Sequence, residues 1–253
     1  MKIVRYRDGV STRWGVIEEG MVREAEGDPF EHLHLASKAK RLEELKLLAP
    51  CLPSKVVALG LNYRDHAEEV KMPIPDRPLL FIKPSTSVIG PGDGIVYPKM
   101  SKRVDYEAEL AVVIGKTAKR VPEEKAGEYI LGYTCLNDVT ARDLQPKDGQ
   151  WTLSKGFDTF SPIGPWIVTG LDPRHLEIAT YLNGVRRQFS NTKNLIFGPH
   201  YLVSFISHVM TLLPGDVIAT GTPSGIGRME VGDVVEVVIE GIGTLMNSVV
   251  AEE

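Results

Sequence analysis

Glu107 and Glu109 stand two residues apart in the segment Asp105-Tyr106-Glu107-Ala108-Glu109-Leu110-Ala111-Val112-Val113-Ile114. Asp138 follows a second apolar run, Tyr129-Ile130-Leu131-Gly132-Tyr133-Thr134-Cys135-Leu136. The apolar, β-branched end of the first segment predicts a strand, on which residues two apart project from one face. Two carboxylates held that close repel, and on a partly buried face the repulsion calls for a cation between them. Asp138 can add a third oxygen from a neighbouring strand. An all-oxygen set suits a hard divalent ion, Mg²⁺ first, then Mn²⁺ or Ca²⁺. The same alternation also fits the solvated face of an antiparallel strand, and the strand by itself does not decide between the two.

A second constellation follows the strand pattern Lys55-Val56-Val57-Ala58-Leu59-Gly60. If a short helix starts near Asn62 or Tyr63, His66 and Glu69 share a face. Such a pair orients an imidazole and raises its basicity, as a general base acting on water requires; it also describes an ordinary solvated surface pair. Downstream of Asp138, Arg142 and Lys155 bring positive charge, either to bind an anionic substrate or to make structural ion pairs. No carboxylate stands three or four residues before Lys155. The turn Thr220-Gly221-Thr222-Pro223-Ser224-Gly225-Ile226-Gly227 is neither a Walker A loop nor a dinucleotide fingerprint, which leaves a carboxylate-binding loop or a plain tight turn. The remaining histidines, His32, His34, His175, His200 and His208, are expected on the surface.

The elements that must position these groups are mostly strands. Met1 to about Glu26 alternates as short strands with a hairpin signal at Asp8-Gly9, and Ser37 to Leu48 is predicted helical, ended by Pro50 and Pro53. Gly92-Asp93, Gly215-Asp216 and Gly232-Asp233 mark turns, the last two leading into β-rich runs. One clear helix is expected from Pro199 to Leu213, with Leu202, Phe205, Ile206, Val209 and Leu213 on its apolar stripe. At 253 residues and 43% hydrophobic content the chain can bury one large core with a small appendage. A net charge of -4 gives no electrostatic reason to expect nucleic acid or an anionic membrane as partner. No signal peptide and no membrane-spanning run is read, and Cys51 and Cys135 sit in no metal or redox spacing, so reduced thiols in a cytoplasmic protein are expected.

Taken together and in order, these residues resemble the fumarylacetoacetate hydrolase family. The matching stretches are Gly60 to His66, Phe81 to Ser87, Asp105 to Leu110, Asn137 to Asp143, Lys155 to Thr159 and Thr220 to Gly225. The resemblance implies an α+β, β-dominated fold: a mixed β-roll core, residues 51–253, behind a small N-terminal β/α module, residues 1–50. It implies that Glu107, Glu109 and Asp138 ligate Mg²⁺ or Mn²⁺, with Ca²⁺ as a substitute, and that His66 with Glu69 activates water. Lys155 would stabilise an oxyanion, while Arg142, Gln145 and Thr222 hold the substrate. Family members of this kind are typically cytoplasmic homodimers. Their substrates are small 2-oxo acids or the corresponding enols, and their reactions are C–C hydrolysis, decarboxylation and ketol isomerisation. A 2-oxo acid chelates a hard ion, which stabilises the enolate common to all three. The leading expectation is an isomerase or decarboxylase of 2-hydroxyhepta-2,4-diene-1,7-dioate in aromatic catabolism. Next come an acylpyruvate hydrolase and an oxaloacetate decarboxylase, and from another class a non-catalytic metal-stabilised binding protein.

Overall fold

The computed structural model describes residues 1–69, 71, 73–146 and 150–253. Strands β1 (Lys2–Asp8), β2 (Ser11–Glu18), β3 (Met21–Asp28) and β4 (His32–Arg41) form an antiparallel meander. Its first turn is Gly9-Val10, where Gly9 takes φ 60°, as the hairpin signal predicts. The helix expected over Ser37–Leu48 does not form. Residues up to Arg41 continue β4, Leu42–Glu44 make a single 3₁₀ turn, and Lys46–Leu47 become β5, paired with β1. A charged segment with no packed apolar stripe has only weak helical stability, and the ladder offered by β3 outcompetes it.

The meander runs directly into the main sheet. Its members are β6 (Lys55–Gly60), β7 (Leu79–Pro84), β11 (Ala108–Ile114), β12 (Ile130–Asn137), β14 (Ser161–Val168) and β17 (Val217–Ala219). The order is β4-β3-β2-β1-β14-β12-β11-β17-β6-β7, with the short β8 (Val88–Ile89) parallel to β14. A five-stranded sheet is built from β9 (Gly94–Tyr97), β15 (Glu177–Leu182), β16 (Val185–Asn191), β19 (Val234–Ile239) and β20 (Gly243–Ala251), in the order β16-β15-β19-β20-β9. A small third sheet joins β13 (Thr140–Ala141), β10 (Val104–Tyr106) and β18 (Gly227–Met229). Parallel pairs β17–β6 and β20–β9 among antiparallel ones make the sheets mixed, the expected α+β architecture.

Strand β11 is buried along its whole length, which is why residues 110–114 read as an unbroken apolar run. Leu110, Val112 and Ile114 pack with Ile178, Val237 and Leu245 of the second sheet, while Ala111 and Val113 pack with Val56, Ala58 and Ile3 on the other face. Three α-helices occur among the described residues, α1 (Arg64–Glu69), α2 (Thr152–Lys155) and α3 (Pro199–Val209), together with short 3₁₀ helices. Helix α3 is shorter than expected, and its buried face is Leu202, Val203 and Ile206; Val209 and Leu213 are exposed. It stops because Leu212 is drawn into a two-way backbone bridge with Ala118, at 2.9 and 3.0 Å. Gly92, Gly215 and Gly232 all adopt positive φ at the expected Gly-Asp turns.

Candidate active site

The segment holding the two glutamates is two strands rather than one. Strand β10 belongs to the three-stranded sheet, β11 to the main sheet, and Glu107 sits at the switch between them. Side chains rather than a neighbouring strand receive the N–H groups there: Glu107 N–H donates to Asn137 Oδ1 at 2.9 Å and Ala108 N–H to Gln188 Oε1 at 3.0 Å. Asp138, just past β12, is tied back by its own N–H to the Glu107 carbonyl at 2.8 Å. Carboxylate oxygens of Glu107, Glu109 and Asp138 consequently lie within 4.8 Å of one another. At 5% and 1% exposure for the two glutamates and none for Asp138, the solvated-face alternative is excluded.

The charges around this triad are unevenly shared. Lys155 Nζ donates to Glu107 Oε2 at 2.8 Å and to Asp138 Oδ2 at 2.6 Å. Arg142 Nη2 pairs with Glu107 Oε1, and its Nε reaches Asp105 Oδ2 at 2.9 Å. Burial by itself would raise the Glu107 carboxyl, but Lys155 and Arg142 outweigh it and hold it below the ordinary range. The same carboxylates raise Lys155 against its own desolvation. Glu109 fares otherwise: it accepts the Gly221 N–H at 2.7 Å, and among the described residues no lysine or arginine forms an ion pair with it. Burial, then Asp138 and Glu107, push it well above the usual glutamate value. A buried carboxylate that its surroundings do not neutralise, beside two more oxygen donors, fits a hard divalent ion.

A cavity of about 450 Å³ opens above the triad, with His66, Glu107, Arg142, Gln145, Lys155 and Thr222 in its wall. Of the triad only Glu107 is in this wall; Glu109 and Asp138 adjoin it through their carboxylate contacts with Glu107, and Glu69 stands behind His66, its Oε2 2.9 Å from His66 Nδ1. The other carboxylate oxygen of Glu69 accepts the Gly225 N–H at 3.0 Å, so this loop touches both Glu109 and Glu69. The five histidines expected on the surface are exposed, and Cys51 and Cys135 are buried free thiols.

Arg142 and Lys155 are both ion-paired and cavity-lining, so neither of the two alternatives for them stands alone. Arg142 also donates from Nη1 to Gln145 Oε1 at 2.6 Å, engaging three of its five N–H donors. Two charged residues around the triad escaped the sequence argument. Lys83 is fully buried and pairs with Asp138 Oδ1, donating also to the Val139 carbonyl at 3.1 Å. Its signal was a lone lysine inside Leu79-Leu80-Phe81-Ile82-Lys83-Pro84, a run otherwise apolar. Asp105 is the other: buried, it holds Arg142 and Arg103 together.

The far wall of the cavity is apolar, built on Trp151, whose ring meets Phe81 edge to face at 5.2 Å. Trp151 can lie there because Gly60 has no side chain; a Cβ would come within 2.4 Å of the indole. Its carbonyl accepts the Lys155 N–H at 2.9 Å, so the indole and α2 move together. Gly60→Ala is therefore expected to raise KM roughly tenfold and shift tryptophan emission, while overpacking costs about 1–3 kcal/mol of stability. Steady-state kinetics and a fluorescence spectrum check this; unchanged kinetics would separate Trp151 from the cavity's function.

Comparison with known proteins agrees with this geometry. Residues 55–250 match the family described as fumarylacetoacetate (FAA) hydrolase C-terminal, and residues 1–50 one described as Rv2993c-like, N-terminal. The chain is similar to 5-carboxymethyl-2-hydroxymuconate delta-isomerase from Mycobacterium smegmatis (46% identity, TM-score 0.93, 100% of both chains covered). It is similar to 2-hydroxyhepta-2,4-diene-1,7-dioate isomerase from Mycobacterium marinum (44% identity, TM-score 0.93, covering 100% of this chain and 99% of that one). More distantly, it resembles maleylpyruvate hydrolase from Sphingobium sp. SYK-6 in complex with manganese(II) and pyruvate (30% identity, TM-score 0.83, 100% of both). A family match across the whole catalytic core, joined to full-length likeness at 44–46% identity, makes the chain a member of the fumarylacetoacetate hydrolase family.

Proposed function

We propose that the chain is a divalent-metal-dependent enzyme acting on 2-oxo and enol (di)carboxylic acids. Its preferred reaction is isomerisation or decarboxylation of 2-hydroxyhepta-2,4-diene-1,7-dioate or a close relative. The observation that carries this reading is the buried set Glu107, Glu109 and Asp138 beneath a cavity walled by Arg142 and Lys155. Likeness to two isomerases of such acids supports it. Mg²⁺ or Mn²⁺ held by the three carboxylates supplies a Lewis acid for the oxygens of the substrate. Arg142 offers its two remaining N–H donors, with Gln145 beside them, to the substrate carboxylate. Lys155 has a third N–H for the oxygen on which negative charge grows. His66, its Nδ1 engaged by Glu69, presents Nε2 to take or return a proton. Residues 1–50 serve as a module beside the catalytic domain of residues 51–253, and the working form is a cytoplasmic homodimer; a one-chain mass by light scattering would overturn the pairing.

The His66–Glu69 contact favours a second reading, hydrolysis of an acylpyruvate such as fumarylpyruvate, because hydrolysis needs an activated water and isomerisation only a proton shuttle. Decarboxylation of oxaloacetate stands behind it. A panel of 2-oxo and 2-hydroxydienoic acids assayed with Mg²⁺ and Mn²⁺, with products identified, tests these against one another. No turnover of any member would leave a metal-stabilised binding protein. His66→Ala and Glu69→Ala are each expected to lower kcat for hydrolysis by about 10²–10⁴ with Mn²⁺ affinity intact, and to spare part of any ketol isomerisation. Equal and negligible effects on every substrate would reduce the pair to a surface contact.

A further inference from the structure

Strand β16 lies at the edge of the five-stranded sheet, and most of its side chains face water: Val185, Arg186, Arg187 and Phe189 are all exposed. Gln188 turns the other way and is 1% exposed. Its amide uses every hydrogen-bonding capacity it has. Oε1 accepts the Ala108 N–H at 3.0 Å and the Thr180 hydroxyl at 2.6 Å. Nε2 donates to Thr222 Oγ1 at 2.9 Å and to the Pro223 carbonyl at 2.8 Å. A flipped amide would set Nε2 against the Ala108 N–H and Oε1 against the Pro223 carbonyl, so the orientation is determined by its partners.

An amide that merely glued two strands together would have arbitrary partners. These are not arbitrary. Ala108 N–H belongs to the peptide that joins Glu107 to the residue before Glu109, at the switch where that N–H meets a side chain rather than a strand carbonyl. Thr222 lines the cavity, and the loop it belongs to also donates Gly221 N–H to Glu109 and Gly225 N–H to Glu69. We infer that Gln188 is a positioning residue that sets the distance between the carboxylate segment and the substrate loop through one rigid amide. Movement of that amide shifts both carboxylates on one side and Thr222 on the other. The inference rests on the metal and substrate roles proposed above.

The test uses Mn²⁺ alone and then pyruvate, the smallest 2-oxo acid, titrated into the full chain by calorimetry. Gln188→Met fills the space but loses all four bonds, and is expected to weaken Mn²⁺ at least tenfold and pyruvate on the Mn²⁺-loaded protein at least tenfold. Thr222→Val is expected to weaken pyruvate alone. In the double variant the two effects on pyruvate should not add, because both act through the same hydroxyl. Full additivity would overturn the inference. Should Gln188→Met fail to fold, Gln188→Glu keeps the acceptor for Ala108 and loses both N–H donors, offering at most one O–H in their place. It should hold Mn²⁺ within about threefold of the wild type and weaken pyruvate about fivefold or more. Wild-type affinities for both ligands in Gln188→Glu, or equal losses of both, would assign Gln188 a purely structural part. Failure of the wild type itself to bind Mn²⁺ removes the site, and the role of Gln188 with it; that result is distinct from a bound metal indifferent to residue 188.

Discussion

Glu109→Gln is expected to abolish tight binding of Mg²⁺ and Mn²⁺, abolish activity, and raise the melting temperature of the metal-free protein. Loss of function and gain of stability have one cause. Glu109 is buried beside Asp138 and Glu107, which together drive its carboxyl well above the ordinary value. Because its folded pKa lies above the unfolded one, stability from this group is present below about 4.5 and is lost as pH rises through the folded value. Above that range this carboxyl therefore opposes folding, either by taking up a proton or by ionising while buried, unless a cation is bound. The amide keeps an acceptor for the Gly221 N–H and cannot ionise. Relief of an unneutralised buried group is worth about 1–3 kcal/mol, or a few degrees in a chain of this size. Thermal melts with and without Mn²⁺ check both halves. The wild type should gain stability on adding metal, by linkage, and the variant should not. A variant that binds Mn²⁺ as tightly as the wild type would remove Glu109 from the metal site.

Lys155→Met should lower kcat by 10²-fold or more and also destabilise the metal-free protein by several degrees. Sequence spacing alone argued for an unpaired lysine and hence little stability cost. Its partners are Glu107 and Asp138, 48 and 17 residues away, and all three groups are buried. Removing one member of a buried charge cluster typically costs about 3–5 kcal/mol, because the remaining charges lose their counterion. Mn²⁺ is expected to restore much of that stability without restoring kcat, since it replaces the lysine as a counterion but not as a donor to the developing oxyanion. Melting temperature and single-turnover rate, each measured with and without metal, separate the two roles. Full activity in the destabilised variant would leave Lys155 a structural ion-pair partner only.

Local patterns carried far in this chain where a single short-range force dominates. The meander's first turn, the glycines of the Gly-Asp turns and the buried run of β11 are such cases, and each was readable from residue type and order. The segment Ser37–Leu48 was not, because its strand exists only through pairing with β3 and β1. The same holds at the site. Residue types identified the triad and the His66–Glu69 pair, since like charges two apart and a helical i, i+3 spacing are visible in one dimension. Lys83, Asp105 and Gln188 act across 55, 37 and 34 residues, and no window on the sequence spans their partners. The strand switch at Glu107 was hidden for a related reason: two strands of different sheets abut without a turn residue between them.

Strand β1 is covered on its outer edge by two segments made at very different times. Tyr6 and Arg7 pair with β5, some forty residues on, whereas Lys2 and Ile3 pair with Val168 and Ile167. A hairpin closes in microseconds, yet at 5–20 residues per second a ribosome needs roughly ten to thirty seconds to travel from Ile3 to Ile167. Throughout that interval the start of β1 waits with an open backbone edge and with Ile3 missing its neighbours Ile163 and Ile167. The earliest strand made is thus among the last to be completed, and the vulnerability of a growing chain to mispairing falls on its first few residues rather than on its catalytic core.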